Sequence, residues 1–386
     1  MIKRWKKPAA ALLALSIAAV PCQAFASEST EITYTEEVLA KLADNNLEYD
    51  ELAGLIDRYN ATVQNNKKAF SDFKRDYGIQ NDEVSDSYNE LANELENSLS
   101  GEDDAGSLIS DLSIETRVKN LRETADDNLE DSAIVWWGYE EARDNLVVVA
   151  QSNMISYKKG LAQLEATKKN AELMEARYDL AQAKRAAGIA TDMDVLDAKE
   201  AMINAQTAVT TQESSIREVK QKLCVMTGWD YNAEPVIGEI PEPDWDRIAS
   251  LDPQADLQTA LDNNYTLKTN KKKLENATSE STKSTLQQTI KENQEQIGVS
   301  LQTAAQNVQS AKIAYDQAVS EKQLQEQNLS LAAVKMQAGT MTALDYQQQE
   351  YDTFSSQIAE QTARMDLLEA QETYDWAVAG LASAGN

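Results

Sequence analysis

Long stretches of the chain repeat non-polar residues at the spacing of a helix seam. After residue 190 such a residue recurs every seven positions, at Val195, Met202, Val209, Ile216 and Leu223. A similar stripe runs through Leu344, Tyr351, Ile358 and Met365, and shorter ones precede both, at Leu301–Ala318 and Ala171–Ala181. Heptad stripes flanked by polar residues are typical of helices that pack side by side. The pattern predicts an all-α fold of long antiparallel coiled-coil hairpins, with little or no β structure.

Proline divides this helical pattern. Four of the six prolines, Pro235, Pro241, Pro243 and Pro253, lie within one stretch of fewer than twenty residues. Because proline disrupts helix interiors, residues 229–253 are predicted to be a linker. A first helical repeat at 27–228 and a second at 254–386 then lie on either side of it.

The two halves resemble each other in sequence. Each contains the pattern G-x-x-T-x-x-D, with Gly188, Thr191 and Asp194 in the first half and Gly339, Thr342 and Asp345 in the second. A further glycine follows each after about forty residues, at Gly228 and Gly380. Asparagines near the start of each half, Asn46 and Asn264, also correspond. Two tandem repeats are therefore predicted.

The G-x-x-T-x-x-D pattern has a direct conformational meaning. Glycine adopts the left-handed conformation that ends a helix, and threonine caps the amides at the start of the next one. An acidic residue three positions after the cap completes a capping box. Each motif therefore predicts a tight turn between two helices, and the turn is interpreted either as purely structural or as a surface for docking or gating.

The first half is longer than the second because of an acidic insertion at about 82–131. Between Asp82 and Asp131 there are sixteen acidic residues and three basic ones, Arg117, Lys119 and Arg122. Two interpretations remain open, a solvated helical hairpin and a region that attracts cations or a cationic partner.

Charge and composition restrict the function. The basic start, the non-polar run and the Ala24-Phe25-Ala26 sequence predict a signal peptide at 1–26 that directs export across the cytoplasmic membrane. Cys22 offers an alternative, a lipoprotein cysteine, and Cys224 is expected to be buried or to link two copies. The formal charge is −28, so nucleic acid is not an expected partner.

Catalysis is not expected either. The chain contains no histidine, which excludes histidine-based general bases, nucleophile triads and the commonest zinc ligand. It also has no glycine-rich phosphate-binding loop. The sequence therefore predicts no enzyme, no cofactor and no metal site.

The motifs resemble those of the TolC, or outer-membrane efflux protein, family. The resemblance lies in the segment from Arg177 through the string DVLDA, Asp194–Ala198, and in the second turn AVKMQAGTMTALDY. It implies a homotrimeric efflux or export conduit in the outer membrane, which docks to a periplasmic adaptor and a membrane transporter. Gly188, Thr191, Gly339 and Thr342 would form the docking turns. Asp194, Asp197 and Asp345 would be entrance carboxylates, while Gln348 replaces a possible fourth.

The sequence departs from the family at the places where its members insert membrane strands. The segments Leu274–Gln288 and Leu99–Ile109 are polar or acidic and lack aromatic residues. This departure predicts a location at the cell surface or in a periplasm-like space. It also keeps a second hypothesis open, a coiled-coil envelope scaffold or adaptor-binding protein with no pore of its own.

Overall fold

The computed structural model describes residues 34–99 and 105–385. The predicted signal peptide and Cys22 lie outside these residues. Within them the chain is helical with very short strands, which confirms the predicted all-α class. The first repeat contains α1 Glu36–Leu42, α2 Leu52–Tyr59, α3 Ala61–Tyr77, α4 Asn81–Glu96, α5 Ala105–Asp126, α6 Ser132–Ala186 and α7 Asp192–Met226. The rest contains α8 Trp245–Ala249, α9 Pro253–Asn263, α10 Tyr265–Asn276, α11 Glu280–Gln337 and α12 Ala343–Trp376.

The four longest helices form two hairpins that lie side by side. Helix α6 packs against α7, and α11 packs against α12. The hairpins meet where α6 runs antiparallel to α12, with contacts from Gln151 to Arg177 of α6 and from Gln348 to Trp376 of α12. The indole of Trp376 donates to Gln151 Oε1 at 2.7 Å, Lys159 binds Asp366, and Lys169 lies over the Phe354 ring. The order across the row is therefore α7, α6, α12, α11.

The predicted heptad stripes occupy the seams between these helices. Ile216 and Leu223 are buried where α7 faces α6, and Leu301 and Val308 are buried between the helices of the second repeat. Gln212 is the polar member of the second, interleaved seam set of α7, which also contains Ala198, Ala205, Val219 and Met226. Its amide donates to the carbonyl of Gly160 on α6 at 3.3 Å. The heptad positions thus hold each hairpin together through side-chain packing.

The two repeats share a buried asparagine at equivalent positions. Asn60 caps α3 and donates to the carbonyl of Met226 at 2.8 Å. Asn264 caps α10 and donates to the carbonyls of Gly380 and Ala382. Asn46, which the sequence repeat paired with Asn264, instead begins the short strand β1, Asn46–Leu47. The structural counterpart of Asn264 is Asn60.

This correspondence changes the apparent size of the insertion. From Asn60 to Gly188 the chain advances 128 residues, and from Asn264 to Gly339 it advances 75, a difference of 53. Between the end of α3 and Asp131, the cap of α6, there are also 53 residues, and they contain α4 and α5. The extra length of the first repeat is therefore a helical hairpin placed between α3 and α6.

Residues 229–253 form an ordered strap across the helices. Its strand β2, Val236–Ile237, pairs in parallel with β1. Lys158 of α6 binds Glu239, and Arg247 of α8 binds Asp256 and Asp375. The strap is thus tied to both repeats.

Two non-polar cores lie between the helices. One non-polar core lies among α2, α6, α7 and α12, and a second lies among α9, α10, α11 and α12. Cys224 is buried, and burial raises the pKa of its thiol. Among the described helices, none has the combination of length and hydropathy that a membrane crossing requires.

Candidate docking turns and an open-edged row of helices

The first turn joins α6 to α7 through Gly188, which has φ +77°. The amide of Ile189 donates to the carbonyl of Lys184 at 2.8 Å, a bond that closes the end of α6 around the glycine. Thr191 then caps α7. Its hydroxyl accepts from the amide of Asp194, whose carboxylate accepts from the Thr191 amide at 2.7 Å. The turn is therefore built by backbone and capping bonds from within the motif itself.

The second turn repeats this construction with one difference. Gly339 has φ +70°, and the amide of Thr340 donates to the carbonyl of Lys335 at 2.9 Å. Thr342 caps α12 by accepting from the amide of Asp345 at 3.1 Å. The Thr342 hydroxyl donates to the Asp345 carboxylate, but the reciprocal capping box that Asp194 forms is a feature of the first turn.

Both turns lie at the same end of the molecule. Arg177, nine residues before the end of α6, donates to Gln348, close to the start of α12, at 2.6 Å. Since α6 and α12 are antiparallel and stay in contact to this point, the turns that follow α6 and precede α12 are neighbours. Gln348, the residue found in place of a possible carboxylate, therefore connects the two hairpins just above their turns.

The predicted entrance carboxylates have different surroundings. Asp194 and Asp345 are bound within their own caps, and hydrogen bonds from Thr191 lower the pKa of the Asp194 carboxyl. Asp197 lies one turn further along α7 and is exposed. Asp192, which the sequence did not single out, forms an ion pair with Arg185 across the first turn. Asp192, Asp194 and Asp197 therefore lie near the end of the first hairpin. The first is ion-paired and the second is hydrogen-bonded within its cap.

The two outer helices of the row present exposed non-polar stripes. On α7 the stripe contains Met193, Leu196 and Ile203, which are 64%, 59% and 47% exposed. On α11 it contains Leu324, Leu331 and Val334, which are 49%, 53% and 61% exposed. Large exposed non-polar residues arranged along one helix face indicate a surface that is covered in an assembly.

The two stripes match in their distance from the turns. Met193 and Val334 are each five residues from the turn glycine of their own hairpin. Leu196 and Leu331 are each eight residues away, and Ile203 and Leu324 are each fifteen away. Because the turns lie at the same end, members of each pair lie at the same level on opposite edges of the row.

The sequence contains a signal for these stripes beside the seam heptads. Leu196 and Ile203 each follow directly after a seam residue, Val195 and Met202, and keep the same seven-residue spacing. Leu324 and Leu331 are likewise seven apart. Two adjacent heptad stripes on one helix indicate two packing faces, of which the predicted seam is only one.

Comparisons with known proteins agree with this architecture. No protein-family model and no curated protein matches the chain. Solved structures do match. The CmeC outer membrane channel of Campylobacter jejuni superposes with a TM-score of 0.56 at 9% identity, over 95% of this chain and 94% of that chain. The outer membrane protein VceC of Vibrio cholerae gives a TM-score of 0.51 at 11% identity, over 86% and 96% of the respective chains.

A third structure, CusC, studied for its transmembrane channel formation, gives a TM-score of 0.53 at 10% identity, over 88% and 93% of the respective chains. The chain has the fold of the TolC-family channels. The resemblance noted in the turn motifs is thus confirmed for the fold. These neighbours are described as outer membrane proteins or channels. In the part of the chain that the structure describes, no three potential metal-ligating side chains are placed so that they could hold a metal ion together.

Proposed function

We propose that this protein is a subunit of an extracytoplasmic efflux or export conduit whose wall is built from several copies of its helical row. The observation that carries the proposal is the pair of matched stripes on the edges of the row. Both non-polar edges of the row become covered when the α7 edge of one copy packs against the α11 edge of the next. This is a head-to-tail contact. Repetition of such a contact closes a ring when the rotation between copies allows it.

Burial of the stripes would stabilise this contact. Each of the six stripe residues is about half exposed, and burying the remainder contributes about 1 kcal/mol per side chain. In this contact α7 of one copy runs antiparallel to α11 of the next, with the turns of both copies at the same end. The paired stripe residues therefore meet without any shift along the helix axes. The TolC-like fold supports three copies as the number in the ring, and it supports a position in the cell envelope.

The turns are the second part of the proposal. They lie together at one end of the row, their backbones are fixed by local bonds, and Ile189 beside Gly188 is 76% exposed. An exposed isoleucine beside a turn that local hydrogen bonds already hold can pack against another protein with little further ordering of the backbone. We therefore assign the Gly188 and Gly339 turns to the docking of a membrane-fusion-type adaptor, which would connect the conduit to a transporter in the cytoplasmic membrane.

Disulfide cross-linking tests the assembly. A chain carrying Leu196→Cys and Leu331→Cys should form covalent ladders ending at a trimer after mild oxidation, because the two positions face each other across neighbouring copies. The matched control carries Leu196→Cys and Ile313→Cys, which lie on the same helices at different levels and should cross-link poorly. Equal yields from both pairs, or a monomer by light scattering before oxidation, would refute the ring.

Substitution at the turns tests the docking. Ile189→Asp should weaken capture of the purified adaptor at least tenfold and leave the Leu196–Leu331 cross-link intact, because the residue lies in open space outside the row. The control Ile79→Asp alters another exposed isoleucine, far from the turns. Unchanged adaptor capture by the Ile189 variant would remove the first turn from the docking surface.

A further inference from the structure

The α4–α5 hairpin is an arm fastened at its base. At that base the amide of Ser132 donates to the carbonyl of Ile79 at 3.0 Å, and Asn81 donates to the carbonyls of Asn128 and Glu130. Farther along, Arg122 of α5 binds Glu96 of α4, so the two helices hold each other. Because the base adjoins the start of the 55-residue helix α6, it lies about 80 Å from the turns.

The second repeat has no such arm at the corresponding place. There α10 ends at Asn276 and α11 begins at Glu280, so three residues make the connection. We call this connection and its flanks, residues 265–291, the bare corner. In a ring of tandem repeats, arms and bare corners alternate around one end.

The charges of the two regions are opposite. Between Asn81 and Asp126 there are thirteen acidic and three basic residues, a net charge of −10. The bare corner has six lysines and two glutamates, a net charge of +4. Asp86, Glu90 and Glu94 recur every four residues on one exposed face of α4, and Leu91 beside them is 43% exposed. The arm thus presents an acidic face with a non-polar residue at its side.

Contacts within one chain already show which chemistry joins the two regions. Lys273 of α10 binds Glu130 at 2.8 Å, and Lys272 lies 3.6 Å from Asp131, both just below the arm. Lys271 and Lys291 of the bare corner are exposed, and among residues 34–99 and 105–385 no ion pair to either is formed. Two lysines therefore remain for acidic groups from outside the chain.

We propose that the arm of one copy lies against the bare corner of the neighbouring copy and strengthens the ring at the end opposite the turns. This inference rests on the proposed assembly. A second copy is the occupant that the charges favour, since two arms repel each other whereas an arm and a corner attract. The α11 edge, whose first residues belong to the corner, is also the edge that receives the first repeat of the next copy.

Neutralising the acidic face tests the contact in the full-length mature protein. Asp86→Asn, Glu90→Gln and Glu94→Gln together should raise the dissociation constant of the oligomer about tenfold at low salt, as expected for a few exposed ion pairs. The difference from wild type should shrink at high salt because exposed charges are screened. Sedimentation velocity at two salt concentrations measures both effects.

Charge reversal identifies the partner surface. Lys271→Glu with Lys291→Glu should weaken association to a similar extent, and combining it with Asp86→Lys, Glu90→Lys and Glu94→Lys should restore it. The control Lys184→Glu reverses an exposed charge near the first turn and should leave association unchanged. Absence of rescue, or a corner variant that associates like wild type, would overturn the proposal and indicate a partner other than a second copy.

The Leu196–Leu331 cross-link separates this inference from the proposed assembly. If it forms in every variant while the salt effect and the rescue are absent, the ring stands and the arm contact is wrong. If the cross-link does not form in a protein whose arm and bare corner are both wild type, the proposed assembly itself is wrong.

Discussion

The two repeats share the same joints, by which we mean the capping asparagine and the glycine that ends the returning long helix. They differ in the segment that connects the short helices to the first long helix. Both have a buried capping asparagine, Asn60 or Asn264, and both end their returning long helix at a glycine with positive φ, Gly228 or Gly380. The first repeat adds the α4–α5 hairpin, and the second makes the same connection in three residues. The comparison shows that the joints tolerate a large insertion, because the ends of the inserted segment lie within hydrogen-bond distance of each other.

The largest effect on stability is expected from substituting the glycines. At the joints a side chain would clash with neighbouring atoms, whereas at the turns only the positive φ disfavours one. A Cβ at Gly228 would overlap the Tyr59 side chain, and a Cβ at Gly380 would lie 2.7 Å from the Asn263 carbonyl oxygen. At Gly188 and Gly339 an added Cβ meets nothing within 4 Å. Gly380→Ala should therefore lower the free energy of unfolding by about 3 kcal/mol or more, and Gly188→Ala by about 1 kcal/mol.

Urea unfolding followed by circular dichroism measures this difference. Gly138→Ala is a suitable control, because this glycine lies inside α6 with open space around it and alanine favours the helix. Equal losses at Gly380 and Gly188 would mean that the close approach at the joint is not what requires glycine.

A second difference between the repeats lies eight residues before the glycine that ends the returning long helix. Eight residues before Gly380 stands Glu372, and burial raises the pKa of its carboxyl to about 7. Eight residues before Gly228 stands Lys220, which forms an ion pair with Glu234. The second repeat thus has a half-buried acid at a place where the first has a half-buried, ion-paired base.

This acid should make stability depend on pH in a defined direction. Because its pKa is higher in the folded protein than the usual 4.5, its contribution is fully present below pH 4.5 and is lost as pH rises to about 7. Glu372→Gln should therefore raise the free energy of unfolding at pH 8 by about 2 kcal/mol relative to wild type, with little change at pH 4.5. A variant curve parallel to wild type between pH 4.5 and 8 would contradict the assignment.

The smallest effect separates the two turns. Asp194 completes a reciprocal capping box with Thr191. The Asp345 carboxylate accepts a hydrogen bond from the Thr342 hydroxyl, but in the described structure it accepts none from the Thr342 amide. Asp194→Ala should therefore speed hydrogen exchange of the first-turn amides of α7 more than Asp345→Ala does for α12. Since hydrogen bonds lower the pKa of Asp194, its cap should persist as pH falls until the carboxyl protonates below its usual range.

Much of this structure could be predicted because it depends on neighbouring residues. Glycine and threonine set the turns through interactions that extend over a few positions, and the seven-residue repeat at Val195–Leu223 marks which face of its helix is packed. The strap at 229–253 was predicted as a linker, but its pairing with Asn46–Leu47 joins segments about 190 residues apart, which no local pattern reports.

The candidate site was predictable to a smaller extent. The turn residues were found from their motif, whereas the matched edges at Leu196 and Leu331 depend on the order of four helices. That order becomes visible only when α6 is placed against α12.

The sequence by itself determined the helices, their turns and their division into two repeats, because capping acts within one turn of helix and the heptad pattern recurs every two turns. The tertiary structure alone decided that Asn60 corresponds to Asn264 and that a second non-polar stripe on α7 and α11 is left uncovered. Both are consequences of contacts between residues distant in the chain, where packing geometry selects among several patterns that the local sequence allows equally.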